Sequence, residues 1–119
     1  MCKLFFNLEI IVGIDLTRMK LSLFAIGYEN HINIFDINSE KSIKTLAGHT
    51  KSIEFIIRIS NIIIASAAND LTVKVWDIIN RTCLTTLYVN LTIIYFIIKL
   101  NKNQIACGSG NGVIKVMLN

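Results

Sequence analysis

Gly48-His49 and Trp76-Asp77 bracket a segment whose layout recurs 41 residues earlier and again 41 residues later. Phe35, Trp76 and Met117 share that spacing, as do Asp36, Asp77 and Leu118, and so do Leu46 and Leu87. A fixed period of this size marks a repeat architecture. One such unit cannot bury its own apolar face, so neighbouring units must stack, and any function is carried by the stack rather than by a single local motif.

The character of the unit is read from its apolar runs. Residues 10–14, 21–26, 32–37, 42–46, 53–57, 62–67, 72–77, 82–87, 92–98, 104–107 and 113–117 are rich in β-branched and aromatic residues, with Asn, Gly, Asp and Ser clusters between them. Ile62-Ile63-Ile64 and Ile93-Ile94-Tyr95-Phe96-Ile97-Ile98 are continuously apolar rather than alternating. Such strands are buried on both faces, as in a sheet held between two others.

The middle copy, Leu46-Ala47-Gly48-His49 through Ala65-Ser66-Ala67-Ala68-Asn69-Asp70-Leu71-Thr72-Val73-Lys74-Val75-Trp76-Asp77, closely resembles a WD40 repeat. The flanking copies match less well: Ala25-Ile26-Gly27-Tyr28-Glu29 leads to Ile34-Phe35-Asp36, and Ala106-Cys107-Gly108-Ser109-Gly110-Asn111 leads to Val116-Met117-Leu118. The resemblance implies an all-β chain, an incomplete WD40-like β-propeller of about three four-stranded blades. Its repeat units run over about 5–36, 46–77 and 87–118. Residues 42–46 then close the first blade and 82–87 the second, while Lys3 to Phe6 takes the place of an outer strand from a preceding blade. Closed propellers have about four to eight blades, so three expose apolar end faces and open strand edges.

The same resemblance assigns a structural tetrad to the middle copy. His49 lies in the turn entering the blade, Ser66 on the second strand, Asp70 in the following tight turn and Trp76 on the third strand. Their chemistry is complementary, because an indole only donates, a carboxylate only accepts, and Ser and His relay between them. At the corresponding positions the first unit has Leu8, Ala25, Glu29 and Phe35, and the third has Asn90, Cys107, Asn111 and Met117. Only the middle unit therefore keeps the polar chain.

Composition narrows the remaining classes. The 119 residues suffice for one small domain, and no apolar stretch reaches the roughly 18 residues of a membrane span. Asn7 and Glu9 interrupt what would be the apolar part of a signal peptide; the expected compartment is the cytoplasm, with the nucleus as the alternative. Cys2, Cys83 and Cys107 have no paired short spacing, and His31 and His49 lack ligand-spaced companions. No cofactor, metal or small-molecule substrate is expected. Ser66, His49 and Asp70 have the composition of a catalytic triad, but the repeat motif places them as a buried brace. Gly108-Ser109-Gly110-Asn111-Gly112 departs from phosphate-loop spacing and precedes a β-run.

The expected function is that of a protein interaction scaffold, without enzymatic activity, holding partners in a multiprotein complex. By resemblance the contacts fall on the turns at one end of the blades, at Thr50, Lys51 and Asn69 in the middle copy and Tyr28 in the first. Self-association that completes a propeller is a further expectation. The net charge of +4 comes from scattered basic residues, and Lys41, Lys44 and Lys51 carry no interleaved aromatics, so a nucleic-acid track is not expected. The alternatives are a subunit of a ribonucleoprotein or chromatin assembly, or a degenerate propeller fragment without function.

Overall fold

The computed structural model describes residues 10–16, 21–36, 39–60, 62–89, 94, 96–109 and 112–117. Among these every regular element is a strand, and there are eleven: β1 Ile10–Leu16, β2 Leu21–Tyr28, β3 His31–Asp36, β4 Lys41–Ala47, β5 Ile53–Arg58, β6 Ile63–Ala68, β7 Thr72–Asp77, β8 Thr82–Tyr88, β9 Phe96–Asn101, β10 Gln104–Ser109 and β11 Gly112–Met117. They form three antiparallel meanders, β1-β2-β3-β4, β5-β6-β7-β8 and β9-β10-β11. The first strands of the sheets adjoin, with β5 touching both β1 and β9, so they make a hub from which the sheets radiate. The segment Lys3 to Phe6 and residue Leu118 lie outside the described residues.

The inner strands of the middle sheet, β6 and β7, are buried on both sides, although Ile62, at the head of the apolar run, is exposed. Ile53, Ile56, Ile64, Ala68 and Trp76 join Leu23, Ala25, Ile32 and Ile34 of the first sheet in one core. Ala65, Ala67, Val73 and Val75 face the other way, onto Ile97, Ile105 and Cys107 of the third sheet. A bulge in β5, where Ile53 opposes Ala68 but Phe55 opposes Ala67, leaves Glu54 unpaired. That extra residue puts Ile53 and Ile56, three apart in sequence, on the same core, while Phe55 and Ile57 pack against the other. Each buried Ile or Val contributes about 1.5–3 kcal/mol relative to exposure, so both sheet-to-sheet contacts are apolar in origin.

The repeat is reproduced down to its irregularities. The β3–β4 ladder slips between Ile34 and Phe35, and the β7–β8 ladder slips between Val75 and Trp76. The extra residues are Ile43 and Leu84, both exposed. The far side of the third sheet is also apolar and open: Phe96 lies over Gly108, while Ile98 is 47% and Val113 61% exposed.

Two sequence assignments are corrected. The ninth strand, read from the sequence as 92–98, is described from Phe96 and continues beyond 98 through Lys99, Leu100 and Asn101, because ladder pairing with β10 and not apolarity alone sets its far limit; residues 92, 93 and 95 lie outside the described residues. In the first sheet Ile26, not Ala25, holds the place of Ser66: Ile26 opposes Asn33 as Ser66 opposes Lys74. The β2–β3 turn, Glu29-Asn30, is one residue shorter than Asn69-Asp70-Leu71. The one-residue difference turns every β2 side chain to the other face, and Ala25 is buried against the middle sheet.

Candidate functional site: the braced upper rim of the middle sheet

The upper end of the sheets carries the β2–β3 and β6–β7 turns, the connection into β5 and the end of β8 at Tyr88. There the four residues of the expected tetrad come together. The Trp76 indole N–H donates to the Ser66 hydroxyl at 2.9 Å, and Ser66 Oγ lies 2.7 Å from His49 Nε2. His49 Nδ1 lies 2.9 Å from Asp70 Oδ2. Since the indole can only donate and the carboxylate only accept, the protons run one way: Trp76 to Ser66, Ser66 to His49 Nε2, and His49 Nδ1–H to Asp70. This fixes the neutral Nδ1–H tautomer of His49.

A fifth member, Thr72, escaped the sequence reading. Its hydroxyl donates to Asp70 Oδ1 at 2.6 Å and sits 3.1 Å from His49 Nδ1, while its backbone N–H donates to the same Oδ1 at 3.0 Å. The Thr50 backbone N–H reaches Asp70 Oδ2 at 2.9 Å. Asp-x-Thr directly before a strand was the available signal, since an Asp side chain there closes a turn on the amide two residues on. Among the described residues no buried side-chain nitrogen or oxygen lacks a partner.

Electrostatics follow from that wiring. Burial is the largest influence on His49 and holds its pKa below the usual value, with Asp70 acting in opposition. Burial pushes Asp70 upward, but hydrogen bonds from Thr72, Thr50 and His49 outweigh it and leave the carboxyl more acidic than usual. At the lower end, the Asn80 backbone N–H, its side-chain amide and the Ile79 N–H hold the Asp77 carboxyl below its ordinary value. Gly48 belongs to the brace by absence: a Cβ there would stand 3.2 Å from Trp76 Cη2.

No family model matches the chain. The structure superposes on a chain of an active polycomb repressive complex 2 in the basal state with a TM-score of 0.77, covering 92% of this chain and 25% of that one at 17% identity. The WD40 β-propeller domain of Doa1 gives a TM-score of 0.71 over 78% of this chain and 32% of that one, at 20% identity. The chain folds as WD40 blades. In sequence it is similar to the striatin homolog of Dictyostelium discoideum, 31% identical over 104 residues. That match takes in 82% of this chain, which spans only 13% of the relative's length.

Within this WD40 frame the expected contact residues separate into two groups. Thr50, Lys51 and Asn69 are exposed and contiguous at the upper rim, where the Asn69 N–H donates to the Ser52 carbonyl at 2.9 Å. Tyr28 is half-buried, its ring edge-on to His31 with centroids 5.9 Å apart. Ile26 and Phe35 stand at the first blade's Ser66 and Trp76 positions; Leu8, Asn90 and Asn111 lie outside the described residues. In the third blade Cys107 opposes Ile97 as Ser66 opposes Ile56, so that equivalence stands in β10. In β11 the register differs by one: Met117 opposes Gln104, whereas Trp76 opposes Ile64.

Two rim residues were missed. Leu71 holds φ at +66° between Asp70 and Thr72, a left-handed conformation that costs a non-glycine residue about 1–2 kcal/mol. Tyr88, at the end of β8, is 84% exposed. With Asp70 and Val89 they line a hollow of about 400 Å³, and the Val89 N–H donates to the Leu71 carbonyl at 3.0 Å. A leucine where a turn favours glycine, and a tyrosine closing an outer strand, were the sequence signals.

Proposed function

We propose that this chain is a protein interaction module that works as a non-catalytic scaffold in a multiprotein complex, with the upper rim of the middle blade as its docking surface. The observation carrying this reading is the pair Leu71 and Tyr88, an apolar side chain at a strained backbone position and an aromatic ring in solvent, both flanking a hollow whose floor is the braced Asp70. Tyr is enriched where interfaces bury most of their energy, and unusual backbone conformations cluster at functional sites. Thr50, Lys51 and Asn69 supply a polar margin. His49 and Ser66 are buried with their polar atoms committed to the brace, so this triad-like set serves packing and not an open site.

The test is site-directed photocrosslinking in cells, with the probe placed in turn at Tyr88, Lys51 and, on the outer strand, Leu84. A defined set of partner adducts from Tyr88 and Lys51 that is absent from Leu84 supports the reading. Equal adducts from all three positions count against it.

The reading extends to self-association. The open face of Phe96, Ile98 and Val113 has the apolar character of the two faces already joined within the chain, and another copy would cover it in the manner of a further blade.

A further inference from the structure

The lower end of the hub has a different chemistry. The β5–β6 turn and the end of β9 with its following turn enclose a hollow of about 510 Å³ lined by Arg58, Ile59, Ser60, Lys99 and Lys102. Three of the five carry positive charge, and no carboxylate occurs among the described residues lining it. Arg58 and Lys99 are one repeat apart, in the equivalent runs Phe55-Ile56-Ile57-Arg58 and Phe96-Ile97-Ile98-Lys99, so stacking the blades brings their cations to the same cavity. The Arg58 side chain is tethered along the turn by its Nε–H, which donates to the Ser60 carbonyl at 3.3 Å. The turn is itself closed by the Ile59 and Ser60 N–H groups on the Ile63 carbonyl at 2.9 and 3.1 Å. Lys99 and Lys102 are exposed.

We propose that this hollow binds an acidic peptide segment of a partner protein, making a second docking site on the end opposite the upper rim. Lys99 and Lys102 are like charges on one cavity wall, and a carboxylate-rich strand relieves their repulsion while steering the encounter. Among the described residues none that lines the hollow is aromatic, so they offer no stacking platform of the kind on which single-stranded nucleic acid depends, and the apolar wall of Ile59 suits a peptide backbone better than a sugar-phosphate chain.

Fluorescence anisotropy on the full chain tests this with three labelled probes: a peptide of six consecutive glutamates, the same peptide with glutamines, and an oligouridylate of equal charge. The glutamate peptide should bind, the glutamine peptide should not, and the oligouridylate should bind more weakly. The Lys99→Gln/Lys102→Gln variant should lose about tenfold in affinity for the glutamate peptide. Lys41→Gln/Lys44→Gln, which removes equal charge from β4, should leave it unchanged. Failure of the glutamate peptide to bind, equal losses in both variants, or tighter binding of the oligouridylate would each overturn the proposal. None of these outcomes bears on the upper rim, whose residues are untouched.

Discussion

The Trp76 indole reaches Ser66 across the β6–β7 ladder, although the two residues are not a ladder pair: Trp76 opposes Ile64 and Ser66 opposes Lys74. A diagonal bond of this kind forms only in one register, so the brace specifies pairing as well as adding energy. Ser66→Ala should leave the indole N–H and His49 Nε2 unpartnered and cost about 1–3 kcal/mol. Trp76→Ala should cost about 3–5 kcal/mol through the cavity it opens. Urea unfolding followed by far-ultraviolet circular dichroism measures both, and a neutral Ser66→Ala would contradict the hydrogen-bond assignment.

Acid should loosen the middle blade in two stages. His49 titrates near 6.5 when unfolded but lower when folded, so below about pH 6.5 the unfolded chain binds more protons and stability falls with falling pH. Asp70 is depressed below 3.8 in the fold; its contribution is present above that value and is lost as pH drops through the folded one. Melting temperature should therefore decline from pH 7.5 to pH 5.5, and His49→Gln should flatten that decline while lowering stability throughout.

Leu71→Gly separates binding from folding. Glycine tolerates the left-handed turn, so the relieved strain offsets the extra freedom of the unfolded chain, and stability should hold or rise by up to about 1 kcal/mol. Partner adducts at the neighbouring Tyr88 should fall. A variant that unfolds would show that Leu71 serves packing instead.

The thiols should report the third blade. Cys83 is exposed, whereas Cys107 is buried and its pKa is raised by that burial. In a Cys2→Ser background at pH 8, Cys83 should react with a disulfide reagent promptly. Cys107 should react only as fast as the third sheet detaches from the second. Reaction of both at one rate would show that this contact does not persist.

Self-association is measured by light scattering. The native chain should give a discrete mass above that of the monomer, and Ile98→Lys should shift it toward monomer, because the lysine places charge on an apolar face. An unchanged mass would remove Phe96, Ile98 and Val113 from that role.

Much of this architecture was legible in the residues. β-branched runs separated by turn residues marked the eleven strands, but unbroken apolarity was a poor guide to burial: of Ile62-Ile63-Ile64 only Ile64 is fully buried, and Phe96 and Ile98 of the other run are exposed. The tetrad was readable through the resemblance of the middle copy to a WD40 repeat, with which the complementary donors and acceptors of His49, Ser66, Asp70 and Trp76 agree. Ala25 was mistaken for the Ser66 counterpart because Ala25 and Ile26 are both apolar, so nothing in composition revealed a turn shortened by one residue. Tyr88 and the lower hollow were hidden for another reason: exposure at a strand end, and the meeting of Arg58 with Lys102, exist only once the sheets are stacked.

The hub arrangement makes the three sheets unequal in what they transmit. Among the described residues β5 touches both other hub strands, so the middle sheet shares a junction with each of the other two. In a nearest-neighbour stack of this kind, damage at Ala65 or Trp76 bears on a described junction. Because Trp76 belongs to the core shared with the first sheet and Ala65 to the core shared with the third, the sheet that carries the full polar brace is the one on which both described junctions depend.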